Sequence, residues 1–152
     1  NPNVKRAGTR GVEPLITTLW NQDYPYNMLC PEHSQGNHGH TYTGCVATAM
    51  AQVMKYWNYP EHGMGKVSYF WGAWDTINLA ETTYDWANMP NSYSTFGANA
   101  WNDAQKQAVA TLMFHCGVSI NMDYGYDGSG TQTFYVADAL RYIFGYRNGV
   151  NY

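Results

Sequence analysis

Between Thr43 and Pro60, apolar side chains return at Val46, Ala49, Met50, Val53, Met54 and Trp57, the three-and-four spacing of one helical face. Thr43 stands where a first turn is capped and Pro60 bars continuation, so the pattern predicts a buried helix opening at Cys45. A second helix is signalled by Asn102 as N-cap, Asp103 in the first turn and Gly117 as the stop. Its apolar face is Ala108, Val109, Leu112, Met113 and Cys116. A third runs from Thr133 to Phe144, with Val136, Ala137, Leu140, Ile143 and Phe144 apolar and Gly145 behind it. Lys66 to Trp71 and Thr83 to Trp86 read as extended pieces, the latter ended by Pro90. Between these lie a turn-rich stretch over 21–27, a polar Gly/His loop over 30–44, a Ser/Asn/Gly/Ala loop over 91–100 and a glycine-rich loop from Met122 to Thr131. The result is a helix-dominated α+β chain with few strands, arranged around a central helix.

Composition narrows the function classes. Hydrophobic residues are 45% and charged residues only 12%, which argues for a packed core and against disorder. At 152 residues the chain makes one domain or part of a larger one. Aromatics reach 16%, including 14 Tyr and 6 Trp, a load that suits an amphipathic groove wall or a rigid secreted scaffold. No run approaches the ~20 apolar residues of a membrane span. The net charge of −3 is uneven, because Lys5, Arg6 and Arg10 crowd the start. From Gly11 onward five basic residues face eleven acidic ones, a balance of −6, so no basic stripe invites nucleic acid. Residues 1–11 read as an arm or a processing junction, and residues 12–152 as the body of the domain.

The candidate chemistry centres on Cys45. A cysteine at a helix start meets unsatisfied backbone N–H groups and the positive end of the helix dipole, which favour the nucleophilic thiolate. Three cysteines cannot form a disulfide framework; Cys116 reads as a buried small hydrophobe, and Cys30, before Pro31, as free or paired. Cys30, His33, His38, His40 and Cys45 also place five zinc-type ligands in one short run, but their spacing fits no standard template and would consume the thiol. The Asp123 to Gly130 stretch resembles a calcium loop only until Phe134, where a bidentate Glu is needed. The expectation is therefore no metal and no cofactor.

Beyond single residues, Gln22 followed by Pro25-Tyr26-Asn27, and then the whole block from Thr43 to Pro60, resembles the streptopain-like cysteine peptidases, bacterial enzymes with a papain-like fold. Tyr84-Asp85-Trp86, Met122-Asp123-Tyr124-Gly125, Ala139-Leu140 and Phe144-Gly145-Tyr146 extend the resemblance in order across nearly the whole chain. It implies that Cys45 is the nucleophile and that the Gln22 amide is an oxyanion-hole donor, joined by the backbone N–H of Cys45. It further implies that the Gly128-Ser129-Gly130 loop lies along the cleft and binds an extended peptide through its backbone. Glycine suits that place, since a missing side chain lets another backbone approach. The family's fold, secretion and N-terminal prodomain follow as expectations, as do protein or peptide substrates.

One part of the family pattern is missing. The general base of papain-like enzymes lies ~130–150 residues after the nucleophile, and the last residue here is Tyr152. None of His33, His38, His40, His62 and His115 matches that base; His62 reads as solvated and His115 as a packing residue. The expectation is a Cys-bearing, mostly helical half, inactive alone, whose His-bearing β-rich half belongs to a second chain or a C-terminal segment. A zinc-binding or non-catalytic carbohydrate- or protein-binding module is the alternative.

Overall fold

The computed structural model describes residues 11–93 and 101–147. The basic arm at residues 1–10 and most of the expected 91–100 loop fall outside them. In chain order the elements are β1 (Glu32–Asn37), α1 (Cys45–Trp57), β2 (Lys66–Trp71), β3 (Ala73–Asn78), α2 (Asp103–Ser119) and α3 (Phe134–Tyr142), with single 3₁₀ turns at Leu79–Glu81 and Trp86–Asn88.

Helix α1 opens at Cys45, but Thr43 is not its cap. Gly44 takes the N-cap position with φ +87°, and no side chain caps the first turn. The Thr43 hydroxyl instead pairs with that of Thr48 at 2.9 Å, and Thr48 donates to the Gly44 carbonyl at 3.0 Å. The helix ends at Trp57, where Asn58 adopts a left-handed conformation and Lys55 Nζ bridges Asn58 Oδ1 (3.0 Å) and the Trp86 carbonyl (2.9 Å).

Of the expected face Val46, Ala49, Met50, Val53, Met54 and Trp57, Met50 and Met54 are buried and Val46 partly so, while Ala49, Val53 and Trp57 are exposed; Ala47 and Ala51 complete the buried side. Apolar residues occur on both sides of this helix, so spacing alone does not choose the inner one. The 47/50/51/54 side packs on α2, where Cys116 Sγ lies 3.6 Å from Met54 Sδ. Val53, Tyr56 and Trp57 face outward and, with Pro14, Leu15 and Ile16, line an open apolar hollow of about 450 Å³. Trp57 alone leaves 64% of its surface uncovered.

Helix α2 behaves as its sequence suggests at its start. Asn102 Oδ1 accepts the Gln105 N–H at 2.9 Å while Gln105 Oε1 accepts the Asn102 N–H at 2.9 Å, a reciprocal capping box. Its end lies further on, because the helix continues through Gly117 to Ser119. Gly117 is in the helix for packing: a Cβ there would sit 2.2 Å from the Tyr124 hydroxyl. Every residue from Ala108 to Val118 except Thr111 is buried, which makes α2 the core of the domain. Helix α3 is shorter than the expected Thr133–Phe144, with Ala139, Leu140 and the following Phe144 turned inward.

Strands β2 and β3 form an antiparallel hairpin about Gly72, in the register Lys66↔Asn78 to Trp71↔Ala73. Tyr69 packs edge-on against Phe114 of α2, with ring centroids 5.4 Å apart, while Phe70 and Trp74 pair at 5.6 Å on the exposed face. β3 is absent from the pattern-based expectation. Thr83 to Trp86 is not a strand; Thr83 makes one bridge to His62 before the chain enters a 3₁₀ turn.

Candidate active site

Four segments converge at the start of α1. The strap over residues 18–22 is tied to α1 by Gln52, whose Oε1 accepts the Thr18 hydroxyl (2.8 Å) and the Trp20 N–H (3.4 Å). One step on, the Gln22 carbonyl accepts the Thr43 N–H at 3.2 Å. Gln22 is thereby held beside the segment that delivers Cys45, 23 residues along the chain. Cys45 itself is solvent-exposed and free.

The 30–44 segment is folded by a buried amide that the sequence alone does not reveal. Asn27, fully buried, donates through Nδ2 to the carbonyls of Asn37 (3.0 Å) and Thr41 (3.1 Å), while Asn37 Oδ1 accepts the Tyr24 N–H at 2.9 Å. These bonds stand in for regular pairing between the turn at 23–30 and the approach to Cys45, since buried polar backbone requires partners.

The glycine-rich loop is clamped onto the same approach. The Tyr42 N–H donates to the Gly125 carbonyl (3.3 Å), and the Ser129 hydroxyl donates to the Tyr42 carbonyl (2.6 Å) while accepting the Gly125 N–H (3.0 Å). A Cβ on Gly44 would lie 2.6 Å from both Sδ and Cε of Met122 and 3.2 Å from the Ser129 carbonyl oxygen. Gly44 is thus required twice, by its backbone angle and by this close approach.

Within the loop the three expected binding positions differ. Gly130 exchanges both backbone groups with Asp123, at 2.9 and 3.0 Å, so its amide is already used. Ser129 turns its hydroxyl inward as an anchor. The backbone N–H groups of Gly128 and Ser129 have no acceptor among the described residues, and a Cβ on Gly128 or Gly130 would meet only open space.

Each of the five histidines has a partner other than Cys45. His33 stacks on Tyr126 (4.6 Å, 13°) and His38 meets the edge of Tyr24 (4.4 Å). His40 Nδ1 lies 2.7 Å from the Cys30 carbonyl, and His62 Nδ1 lies 3.5 Å from the Thr83 hydroxyl. His115 Nδ1 pairs with the Tyr84 hydroxyl at 2.8 Å in the core. Among the described residues no three His, Cys, Asp or Glu side chains converge as a metal site. The run from Cys30 to Cys45 is therefore dispersed. Its Cys30 thiol is buried and pushed up to about 12 by desolvation, and burial likewise raises Cys116.

An exposed thiol heading a core helix, with a glycine loop clamped alongside, is the arrangement of a papain-like cysteine protease fold. The chain matches active wild-type interpain A of Prevotella intermedia with a TM-score of 0.77 and 42% identity, covering 88% of this chain and 55% of that one. A mutant prointerpain A fragment of the same organism gives 0.78 and 41%, covering 88% of this chain and 43% of the other. The chain belongs to the peptidase C10 family, whose model matches residues 20–152. Streptopain of Streptococcus pyogenes is 34% identical over 95% of this chain and 42% of its own length. The thiol protease/hemagglutinin PrtT of Porphyromonas gingivalis is 33% identical over 98% of this chain and 17% of its own. The chain thus spans less than half of either curated relative.

Proposed function

We propose that this chain is the nucleophile-bearing half of a cysteine endopeptidase that hydrolyses peptide bonds in proteins. The observation that carries the reading is an exposed Cys45 on the uncapped first turn of α1, within a C10-family chain. Cys45 Sγ, its proton passed to an imidazole, attacks the scissile carbonyl carbon, forming the C–S bond of a tetrahedral intermediate while the carbonyl electrons move onto oxygen; the thioester forms when that intermediate collapses. The Gln22 side-chain amide and the Cys45 backbone N–H receive that oxyanion, and donors placed where charge develops lower the barrier most. Collapse expels the amine, which takes its proton from an imidazolium; water then cleaves the thioester with the same imidazole as base. Gly128 and Ser129, whose N–H groups have no acceptor among the described residues, hold the extended substrate backbone.

The imidazole comes from a C-terminal segment or a second chain, since none of His33, His38, His40, His62 and His115 matches the family's base, and these 152 residues alone are inactive. That unit covers the apolar hollow formed by Leu15, Ile16, Val53, Tyr56 and Trp57, whose exposure in water is unfavourable at roughly 25 cal/mol per Å². The enzyme is made as a zymogen with an N-terminal prodomain and is secreted, as the family resemblance implies. In the full-length protein, Cys45→Ala removes hydrolysis of a denatured-casein substrate without altering the circular-dichroism spectrum. Gln22→Ala lowers kcat by about 10²–10³. Retained turnover in Cys45→Ala overturns the assignment.

A further inference from the structure

Cys45, Thr48 and Gln52 stand at the three- and four-residue spacing that stacks side chains on one face of α1. The strap over 18–22 meets that helix at both of its ends: Thr18 and Trp20 bond Gln52, and the Gln22 carbonyl takes the N–H of Thr43, two residues before Cys45. Burial alternates along the strap. Thr18 and Trp20 are 8% and 7% exposed, Leu19 is 76% exposed, Asn21 is exposed and Gln22 half-buried. An extended chain alternates its side chains in this way, so Gln22 shares the inward side with Thr18 and Trp20.

Gln52 fixes the register of the strap. Its Nε2 donates to the Thr48 carbonyl at 3.2 Å, which turns Oε1 outward to accept the Thr18 hydroxyl at 2.8 Å and the Trp20 N–H at 3.4 Å. From Gln52 back to Cys45 the helix falls by about 10.5 Å, and the chain from Thr18 to Gln22 reaches at most about 14 Å. Little slack remains, so holding Thr18 and Trp20 limits where Gln22 can lie. The Gln22 N–H donates to Asn21 Oδ1 at 2.9 Å and its carbonyl is taken by Thr43 at 3.2 Å, while its side-chain amide has no partner among the described residues.

Thr48 joins the second donor to the same brace. Its backbone N–H and its hydroxyl both donate to the Gly44 carbonyl, at 3.1 and 3.0 Å. That carbonyl belongs to the peptide unit that carries the Cys45 N–H, so the two bonds fix the plane in which the N–H points. We propose that Gln52 is a positioning residue: acting through the strap, it sets the Gln22 amide against the Cys45 N–H so that both meet one oxygen. The proposal rests on the oxyanion assignment above. On its other edge the strap is held by the Leu19 N–H on the Asn91 carbonyl (2.7 Å) and Trp20 Nε1 on the Pro90 carbonyl (2.9 Å). Losing Gln52 therefore shifts the strap without releasing it.

The test compares two variants of the full-length protein: Gln52→Met, which keeps the length but not the amide, and Gln52→Glu, which keeps the acceptor. With a fluorogenic peptide, Gln52→Met should lose about tenfold to a hundredfold in kcat with KM changed by less than about twofold, and Gln52→Glu should recover most of that loss. Alkylation of Cys45 by iodoacetamide forms no oxyanion, so its rate should match wild type in both. On a Gln22→Ala background, Gln52→Met should cost nothing further, because the donor it positions is gone. Wild-type kcat in Gln52→Met overturns the proposal. An equal loss with and without Gln22, or alkylation that slows in step with kcat, makes Gln52 a general support of the fold and also overturns it. If Gln22→Ala keeps wild-type kcat while Cys45→Ala is inactive, or if wild type hydrolyses no peptide, the oxyanion reading fails separately. Hydrogen exchange then decides the brace: faster exchange over residues 18–22 in Gln52→Met, reversed in Gln52→Glu, supports it, and unchanged exchange overturns it.

Discussion

His115 should make the stability of this domain fall in mild acid. The ring is 5% exposed on α2, pairs with the Tyr84 hydroxyl at 2.8 Å and lies edge-on to the Tyr84 ring at 5.6 Å. Burial lowers its pKa from 6.5 to about 4. The native state therefore binds fewer protons than the unfolded state between those values, and stability must rise with pH across that window. Read downward, the loss begins near pH 6.5, where the unfolded histidine protonates, and is complete near pH 4, where the native one does. A difference of this size corresponds to about 3 kcal/mol. Urea unfolding of the full-length protein, followed by tryptophan fluorescence from pH 7.5 to 4, measures it against His115→Gln. Carboxylate titrations are common to both proteins and cancel in the comparison. The wild-type advantage should shrink by about 3 kcal/mol over the window. A gap independent of pH, or one that narrows on the alkaline side, would refute the assignment of a buried neutral imidazole.

Three further outcomes follow from the packing around Cys45. Gly44→Ala forces a side chain into φ +87° and onto Met122, so it should cost about 1–3 kcal/mol and cut kcat/KM roughly tenfold to a hundredfold; unchanged kinetics would contradict the clamp. Ser129→Ala removes the Tyr42 and Gly125 bonds and should cost about 1–2 kcal/mol, raise KM and speed amide exchange at Gly125; wild-type exchange there would exclude the anchoring role. Iodoacetamide at neutral pH should label Cys45 alone, leaving Cys30 and Cys116 until the protein unfolds, as peptide mapping can show; early labelling of either buried thiol would contradict the packing.

The features legible in the sequence were those set by local chemistry. Asn102 and Gln105 announce the start of α2 because a capping box is built from side chains three residues apart, and the run Ala108 to Cys116 is apolar at nearly every position, as a helix buried all round must be. Helix α1 was legible in extent and only partly in orientation, because both of its sides are apolar: Met50 and Met54 of the expected face turn inward, while Val53 and Trp57 face outward. Strand β3 escaped because an exposed Trp74 and a polar partner face blur its alternation; its pairing to β2 fixes it. At the site, Cys45 stands out in the sequence because it heads a helix, and the structure leaves its thiol exposed. The inward bond of the Ser129 hydroxyl to Tyr42 was hidden, since its partner lies 87 residues away. The Asn27 clamp was equally hidden, its partners lying 10 and 14 residues away in a loop without periodicity.

The fit of Tyr124 against Gly117 constrains how this sequence can drift. Alanine at 117 brings a methyl carbon within 2.2 Å of the Tyr124 hydroxyl oxygen and 3.2 Å of the ring carbon that bears it. The helix would otherwise gain from that change, by about 1 kcal/mol of backbone propensity. The stabilising step is therefore closed while tyrosine remains at 124 and opens once phenylalanine replaces it. The two positions can exchange only in one order, and the intermediate that survives carries the altered loop before the altered helix.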